Sequence, residues 1–74
     1  MKQISSSSVL RLLGEHVRHF RKLRGISQEE LALLADIDRT YISQIERGVG
    51  NPSILVLLRI GTVLKVSLAE LFDF

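Results

Sequence analysis

Two short helical segments, separated by only three residues, lie in the middle of the chain. Ser27 and Glu30 form the Ser-x-x-Glu pattern of a capping box, which predicts the start of a helix. Asp38 is a favourable N-cap for the next helix, and Gly48 predicts where that helix ends. Because residues 36–38 leave room only for a tight turn, the two helices are predicted to pack directly against each other.

The side chains around this turn favour a helix-turn-helix unit over residues 27–47. Ala32 is small enough to let the two helices approach closely, and Ile37 is placed to fill the space between them. Ile42 and Ile45 predict the face of the second helix that packs on the first. Two short helices joined by such a turn form this supersecondary motif. The buried face of the first helix is predicted to contain Leu31, Leu34 and Ala35.

Three further helices are predicted around the central unit. After a flexible lead-in over residues 1–8, Ser8 is a possible N-cap for a first helix that Gly25 ends. Ser53 and Ser67 are the N-caps predicted for a fourth and a fifth helix. The sequence therefore predicts a single all-α domain over residues 1–74, a five-helix bundle with a central helix-turn-helix. The apolar stripe of the first helix comprises Leu10, Leu13, Val17 and Phe20.

The chain is small, and this limits how it can be stabilised. It has 74 residues and no cysteine, so helix packing or self-association must supply the stability. Residues 54–58 are apolar on every side of a helix, and only one side can face the first three helices. A homodimer interface in residues 53–74 would cover another side. The residues predicted near it are Leu55, Val56, Arg59, Leu68, Leu71 and Phe72.

The outer flank of the third helix is polar. Its groups can read base edges: arginine pairs with guanine, glutamine with adenine, and serine or threonine with either. A helix with side chains, about 10–12 Å across, fits a major groove about 12 Å wide. The alternative is that this flank is polar only because it faces water. The predicted base-reading residues are Arg39, Thr40, Ser43 and Gln44, with Arg47 beyond them as a phosphate contact.

Charge and composition argue against other classes of function. Residues 1–25 hold six basic residues and one acidic residue, a possible footprint for a polyanion, whereas residues 26–74 hold four basic and seven acidic residues. His16 and His19 have no third ligand at an obvious spacing, so no metal or other cofactor is predicted. The sequence also indicates no enzyme, no small-molecule substrate, no signal peptide and no membrane span, and predicts a cytoplasmic protein.

Several stretches follow a recognisable pattern. They are Gln28-Glu29-Glu30-Leu31-Ala32, then Ile37, then Tyr41-Ile42-Ser43-Gln44-Ile45-Glu46-Arg47-Gly48, and then Asn51-Pro52-Ser53. Together they resemble the phage repressor and Cro-type helix-turn-helix family. The stretch Asp38-Arg39-Thr40-Tyr41-Ile42-Ser43 is most similar to the controller proteins of bacterial restriction–modification systems. The resemblance covers about residues 9–72.

The resemblance implies roles for individual residues. Gln28 is similar to a glutamine that binds backbone phosphate, which suits the start of a helix because helix N-termini attract anions. Glu46 resembles the acidic partner of a buried structural ion pair, with Arg21 at the position of the basic partner. Asp36 stands where the family often has glycine, and aspartate tolerates a left-handed backbone better than most residues. Tyr41 and Asn51 match positions that contact phosphate or cap the following helix, and Arg39, Thr40, Ser43 and Gln44 match base-contacting positions.

These observations predict a DNA-binding transcriptional regulator that acts as a homodimer on double-stranded DNA. Two third helices would enter successive major grooves about 34 Å apart, so the operator would be a palindrome or near-palindrome. A restriction–modification controller protein is the first candidate. A phage-type repressor, an antitoxin-type regulator and a helical protein–protein adaptor without DNA binding are the alternatives. Whether such a protein activates or represses its promoter is left open.

Overall fold

The computed structural model describes residues 5–74, and every regular element in that range is an α-helix. The predicted all-α architecture with five helices is thereby confirmed for this part of the chain. None of these helices is both long enough and apolar enough to cross a membrane. The helices are α1 (Ser6–Leu23), α2 (Gln28–Ala35), α3 (Arg39–Glu46), α4 (Ile54–Leu64) and α5 (Leu68–Leu71).

Each helix begins after a polar residue whose side chain accepts a hydrogen bond from a backbone N–H of the first turn. Such caps satisfy donors that have no partner within the helix. Complete capping boxes are present at Ser27 with Glu30 and at Ser67 with Glu70. The five N-caps are Ser5, Ser27, Asp38, Ser53 and Ser67.

The first helix begins earlier than predicted. Ser5 rather than Ser8 is its N-cap, and the Ser5 hydroxyl accepts a hydrogen bond of 3.2 Å from the Ser8 backbone N–H. Residues 6–8 therefore belong to α1 and not to a flexible lead-in, while residues 1–4 lie outside the described range. In a run of serines each hydroxyl can cap, and capping at Ser5 adds backbone hydrogen bonds such as the one from Val9 N–H to the Ser5 carbonyl.

The first four helices end in the same way. A residue in the left-handed conformation follows the helix, and the next residue donates its N–H to a carbonyl five residues back, which is the Schellman motif. This next residue is aliphatic in every case. The left-handed residues are Gly25, Asp36, Gly48 and Lys65, and the aliphatic residues after them are Ile26, Ile37, Val49 and Val66.

All five helices contribute to one hydrophobic core. Its members from α3, Ile42 and Ile45, are buried as predicted, because α3 packs against both α1 and α2. The prediction for α2 was wrong at Leu34, which is 63% exposed, because Leu31, Ala32 and Ala35 form the side of α2 that enters the core. The core comprises Leu13, Val17, Leu31, Ala32, Ala35, Ile42, Ile45, Leu57, Ile60, Leu64 and Leu71.

Helices α1 and α3 lie close together at Gly14. A Cβ atom added there would overlap the carbonyl oxygen of Ile45 and lie 2.8 Å from that of Glu46. Both of these atoms belong to the backbone at the C-terminal end of α3, so they cannot move aside as a flexible side chain could. The absence of a side chain at Gly14 therefore allows α3 to lie against α1.

We expect Gly14→Ala to lower the free energy of unfolding by about 1–3 kcal/mol, because the methyl group would force α1 and α3 apart. In an exposed helix the same change raises the free energy of unfolding by roughly 0.5–1 kcal/mol. The sign of the change therefore shows whether α3 lies against α1 at Gly14. Urea denaturation followed by circular dichroism measures it, with Arg18→Ala on the exposed side of α1 as the control. A Gly14→Ala protein more stable than the wild type would contradict the close approach.

Candidate nucleic-acid interface

The polar flank of α3 faces away from the core. Arg39 and Thr40 are exposed, and Ser43 and Gln44 are half-buried. We call these four residues the reading flank. Ile42 and Ile45 hold the opposite side of the helix in the core, so the reading flank is presented by a fixed helix rather than by a mobile loop.

Part of the reading flank adjoins the beginning of α2. Arg39, Thr40 and Ser43 line a shallow surface depression together with Gln28, the first residue of α2. The structure thus brings three of the four predicted base-reading residues together with one predicted phosphate-binding residue. Gln44 lies further round α3 and is not among the residues that line the depression.

The ion pair predicted between Arg21 and Glu46 is present in the structure. Arg21 Nε and Nη2 donate to the two carboxylate oxygens of Glu46 at 2.6 Å and 3.0 Å, while Nη1 donates to the carbonyl of Ile26 at 2.9 Å. The side chains of Arg21 and Glu46 are only 11% and 3% exposed. This bidentate contact fastens the end of α3 to α1 and to the loop that leads into α2.

The hydrogen bond to Glu46 raises the pKa of Arg21 above its ordinary value, although burial of the guanidinium opposes the rise. A raised pKa means that folding favours the charged form of Arg21, so titration of Arg21 itself removes none of this stabilisation below the ordinary arginine value. Its contribution is lost only as the pH rises through the pKa of the folded state. Arg21 therefore introduces no pH dependence of stability near neutrality.

Gln28 is the third member of this buried cluster. Its Nε2 donates to Glu46 Oε1 at 3.1 Å, so the Glu46 carboxylate joins residues of α1, α2 and α3. The side-chain amide nitrogen of glutamine carries two hydrogens, and the second can serve an acceptor outside the protein. The sequence predicted a phosphate-binding role for Gln28 but not this internal hydrogen bond, which joins residues 18 positions apart and has no local signature.

The other predicted phosphate contacts lie apart from this cluster. Tyr41 packs partly against the core, and Arg47 is the exposed C-cap residue of α3. Asn51 is exposed and lines a second depression with Ser6, Val9 and Leu10, at the beginning of α1. The predicted phosphate-binding residues therefore lie at the start of α2, along α3 and beside the start of α1.

The basic block of α1 is partly engaged within the chain. Arg24 Nε donates to the carbonyl of Leu64 at 2.6 Å, and Arg11 forms an ion pair of 3.1 Å with Glu15. Arg21 is thus committed to Glu46 inside the chain, whereas the side chain of Arg11 is still 60% exposed. Among residues 5–74, His16 and His19 are not part of any group of three or more side chains that could bind a metal ion.

The predicted dimer-interface residues divide into three groups. Leu55 is 71% exposed, and Arg59 and Phe72 are also exposed, whereas Val56 and Leu68 are half-buried against the core. The prediction was wrong for Leu71, which is fully buried because α5 inserts it into the core.

One exposed leucine of α4 was not among the predicted interface residues. Leu58 is exposed and lines an apolar groove between α4 and α5 together with Leu68. Its position one helical turn after Leu55 was the signal that could have found it. We call Leu55, Leu58, Leu68 and Phe72 the α4–α5 surface.

A helix-turn-helix family model matches residues 17–71, from the middle of α1 to the end of α5. The chain belongs to the helix-turn-helix family. The family predicted from the central motif is thus confirmed. The match includes the whole of α2 and α3, which carry Gln28 and the reading flank of this helix-turn-helix protein.

Controller proteins are among the relatives of this helix-turn-helix chain. Control protein C.BamHI of Bacillus amyloliquefaciens is 40% identical over 70 residues, which cover 93% of this chain and 86% of that protein. The crystal structure of the restriction–modification controller protein C.AhdI of Aeromonas hydrophila has a TM-score of 0.83 and 40% identity, covering 85% of this chain and 96% of that one.

Longer regulators match as well. HTH-type transcriptional regulator SlrR of Bacillus subtilis is 41% identical over 63 residues, which are 84% of this chain but 41% of SlrR. The chain likewise spans 57% of the length of the related regulator SinR of Bacillus subtilis. The prediction of a regulator rather than an enzyme agrees with the names of these relatives.

The buried ion pair gives a direct test of how the site is held. We expect Arg21→Met to lower the free energy of unfolding by about 3–5 kcal/mol, because Glu46 would be left buried and charged without its partner. That is a large part of the stability expected for a domain of this size, so thermal melting by circular dichroism should show a clearly lower melting temperature. The double variant Arg21→Met/Glu46→Leu should regain much of the loss, since it buries no charge. Equal destabilisation in the two proteins would rule out this explanation.

Proposed function

We propose that the protein is a sequence-specific DNA-binding transcriptional regulator that acts as a homodimer. The observation that carries the proposal is the reading flank: Arg39, Thr40, Ser43 and Gln44 share the outer side of a helix whose inner side is fixed in the core. Side chains of these types form hydrogen bonds with base edges in the major groove. A fixed helix loses little conformational freedom when it enters the groove, so its contacts with bases contribute to affinity with a small entropic cost.

The neighbouring residues fit contacts with the DNA backbone. Gln28 borders the reading flank, and one of its two amide hydrogens is not used in the bond to Glu46. It is also the first residue of α2, and the backbone N–H groups at a helix N-terminus attract anions. Arg47, at the end of α3, is exposed and carries a charge that attracts phosphate. Such contacts would fix the register of α3 in the groove but carry no sequence preference of their own.

A second copy of the chain is the partner that the α4–α5 surface fits best. Leu55 and Leu58 are large apolar side chains on one side of a single helix, and exposure of such a set to water is unfavourable. A two-fold dimer buries the same surface on both copies and places the two α3 helices symmetrically. The operator would then be a palindrome or near-palindrome whose half-sites lie about one helical turn of DNA apart.

The relatives support a role in the control of restriction–modification genes. C.BamHI is named a control protein, and C.AhdI is described as a restriction–modification controller protein. By occupying a promoter, a dimer of this kind would regulate transcription of the genes that follow it.

The base-reading assignment predicts a specific loss. Arg39→Ala should weaken binding to the preferred operator by about 1–3 kcal/mol and relax base preference at one position of each half-site. Selection from a random DNA pool gives the operator, and gel shifts titrated with salt give the affinities, which should fall steeply as salt increases. Arg47→Ala is the matched comparison, because Arg47 is exposed and loss of a phosphate contact should weaken all DNA sequences about equally. If Arg39→Ala also weakens all sequences equally, Arg39 does not read a base.

The dimer predicts a second result that does not depend on DNA. Leu55→Glu should raise the dissociation constant of the dimer at least about tenfold, because the interface would bury a carboxylate without a partner. Sedimentation equilibrium measures this constant. Leu23→Glu, on an exposed leucine of α1, is the control and should leave the constant unchanged. If Leu55→Glu dimerises like the wild type, Leu55 does not lie in the dimer interface and the proposed place of that interface on α4 is wrong.

A further inference from the structure

Helix α4 reaches the turn of the helix-turn-helix through one side chain. Arg59 Nη2 donates to the backbone carbonyl of Asp36 at 2.8 Å and lies 3.3 Å from its carboxylate oxygen Oδ2. The two residues line a common surface depression that also includes Leu34 and Thr62. Arg59 was predicted to lie in the dimer interface, but in the structure its guanidinium binds the turn of its own chain.

The carbonyl that Arg59 holds is at a critical place in the backbone. Asp36 is left-handed, with φ 55° and ψ 51°, a conformation that is unfavourable for a residue with a side chain. Its carbonyl belongs to the peptide plane that joins residues 36 and 37, in the turn between α2 and α3. A rotation of this plane would change the direction in which the chain enters α3. A hydrogen bond to its oxygen therefore opposes that rotation.

The exposure of the two side chains shows which contact matters more. The Asp36 side chain is 98% exposed and that of Arg59 is 48% exposed, so the attraction between their charges is weakened by water. The bond to the backbone carbonyl is shorter, and the carbonyl cannot swing away as the carboxylate can. The contact thus acts mainly on the backbone of the turn, and the carboxylate is secondary.

We propose that Arg59 is a positioning residue for the reading flank. It fixes the peptide plane after Asp36 and thereby sets the direction of α3 relative to α2. This inference rests on the proposed function, since it explains how the reading flank is aligned with bases. Its hydrogen bond to Asp36 also connects α4 with the turn before the reading flank. Arg59 is one helical turn after Leu55, which belongs to the α4–α5 surface.

Arg59→Met tests the proposal, because methionine keeps much of the aliphatic stem but cannot donate. We expect the affinity for the selected operator to fall about three- to tenfold, the range for loss of one hydrogen bond. The affinity for random-sequence DNA should fall no more than in Lys22→Met, which removes one exposed positive charge in the last turn of α1. The dimer dissociation constant, measured on the same samples by sedimentation equilibrium, should stay unchanged. Arg59→Lys keeps the charge and one donor group and should restore part of the operator affinity.

A measurement without DNA examines the turn itself. In Arg59→Met the backbone amide of Ile37, which donates to the Ala32 carbonyl at 2.9 Å, should exchange its hydrogen several times faster than in the wild type. The amide of Val17, in the middle of α1, should exchange at the wild-type rate and so report that global stability is unaffected.

Each contrary outcome overturns the positioning role. Unchanged operator affinity or unchanged exchange at Ile37 means that Arg59 does not hold the turn. If the dimer dissociation constant rises together with the loss of operator affinity, Arg59 acts in the dimer interface. If affinity for random DNA falls as much as affinity for the operator, Arg59 contributes only its positive charge. If the wild-type protein selects no DNA sequence, the proposed function fails, while the exchange measurement still decides whether Arg59 fixes the turn.

Discussion

The buried carboxylate of Glu46 is the interaction on which the arrangement of the first three helices depends. It accepts hydrogen bonds from Arg21 on α1 and Gln28 on α2, and it is itself the last residue of α3. A charge that is 3% exposed is tolerated only when its oxygens are matched by donors, so the geometry of these three residues is tightly constrained. Together with Ile42 and Ile45, this contact holds the inner side of α3 and leaves its outer side free for other molecules.

Backbone hydrogen bonds at the helix ends provide a second constraint. After each of the first four helices a left-handed residue reverses the chain, and the aliphatic residue that follows closes the Schellman hydrogen bond. Two of these left-handed positions are occupied by residues with side chains, Asp36 and Lys65. At Asp36 the structure supplies an added contact from Arg59, in the turn that leads into α3.

The charges of the chain are used inside the molecule as well as on its surface. Arg24 binds the carbonyl of Leu64 at the end of α4, where the helix dipole favours a positive charge. With Arg21 committed to Glu46, the basic excess of residues 1–25 is in part a framework that ties α1 to the other helices. The basic residues of this segment therefore join helices as well as contributing positive charge to the surface.

The sequence by itself determined the features that depend on near neighbours. Helix caps, left-handed residues and the spacing of apolar residues all act within about five residues of the chain. The five helices, the turn after α2 and the outward side of α3 could therefore be predicted, from signals such as Ser27, Asp38, Gly48 and the isoleucines of α3. Its one local failure, at Ser5 and Ser8, came from several equivalent caps in succession. Only the tertiary structure decided which apolar residues are covered, since burial depends on neighbours distant in sequence: Leu34 is exposed, and Leu71 is enclosed. The contacts of Gln28 with Glu46 and of Arg59 with Asp36 join residues 18 and 23 positions apart, and no local pattern encodes them because they exist only once the helices have packed.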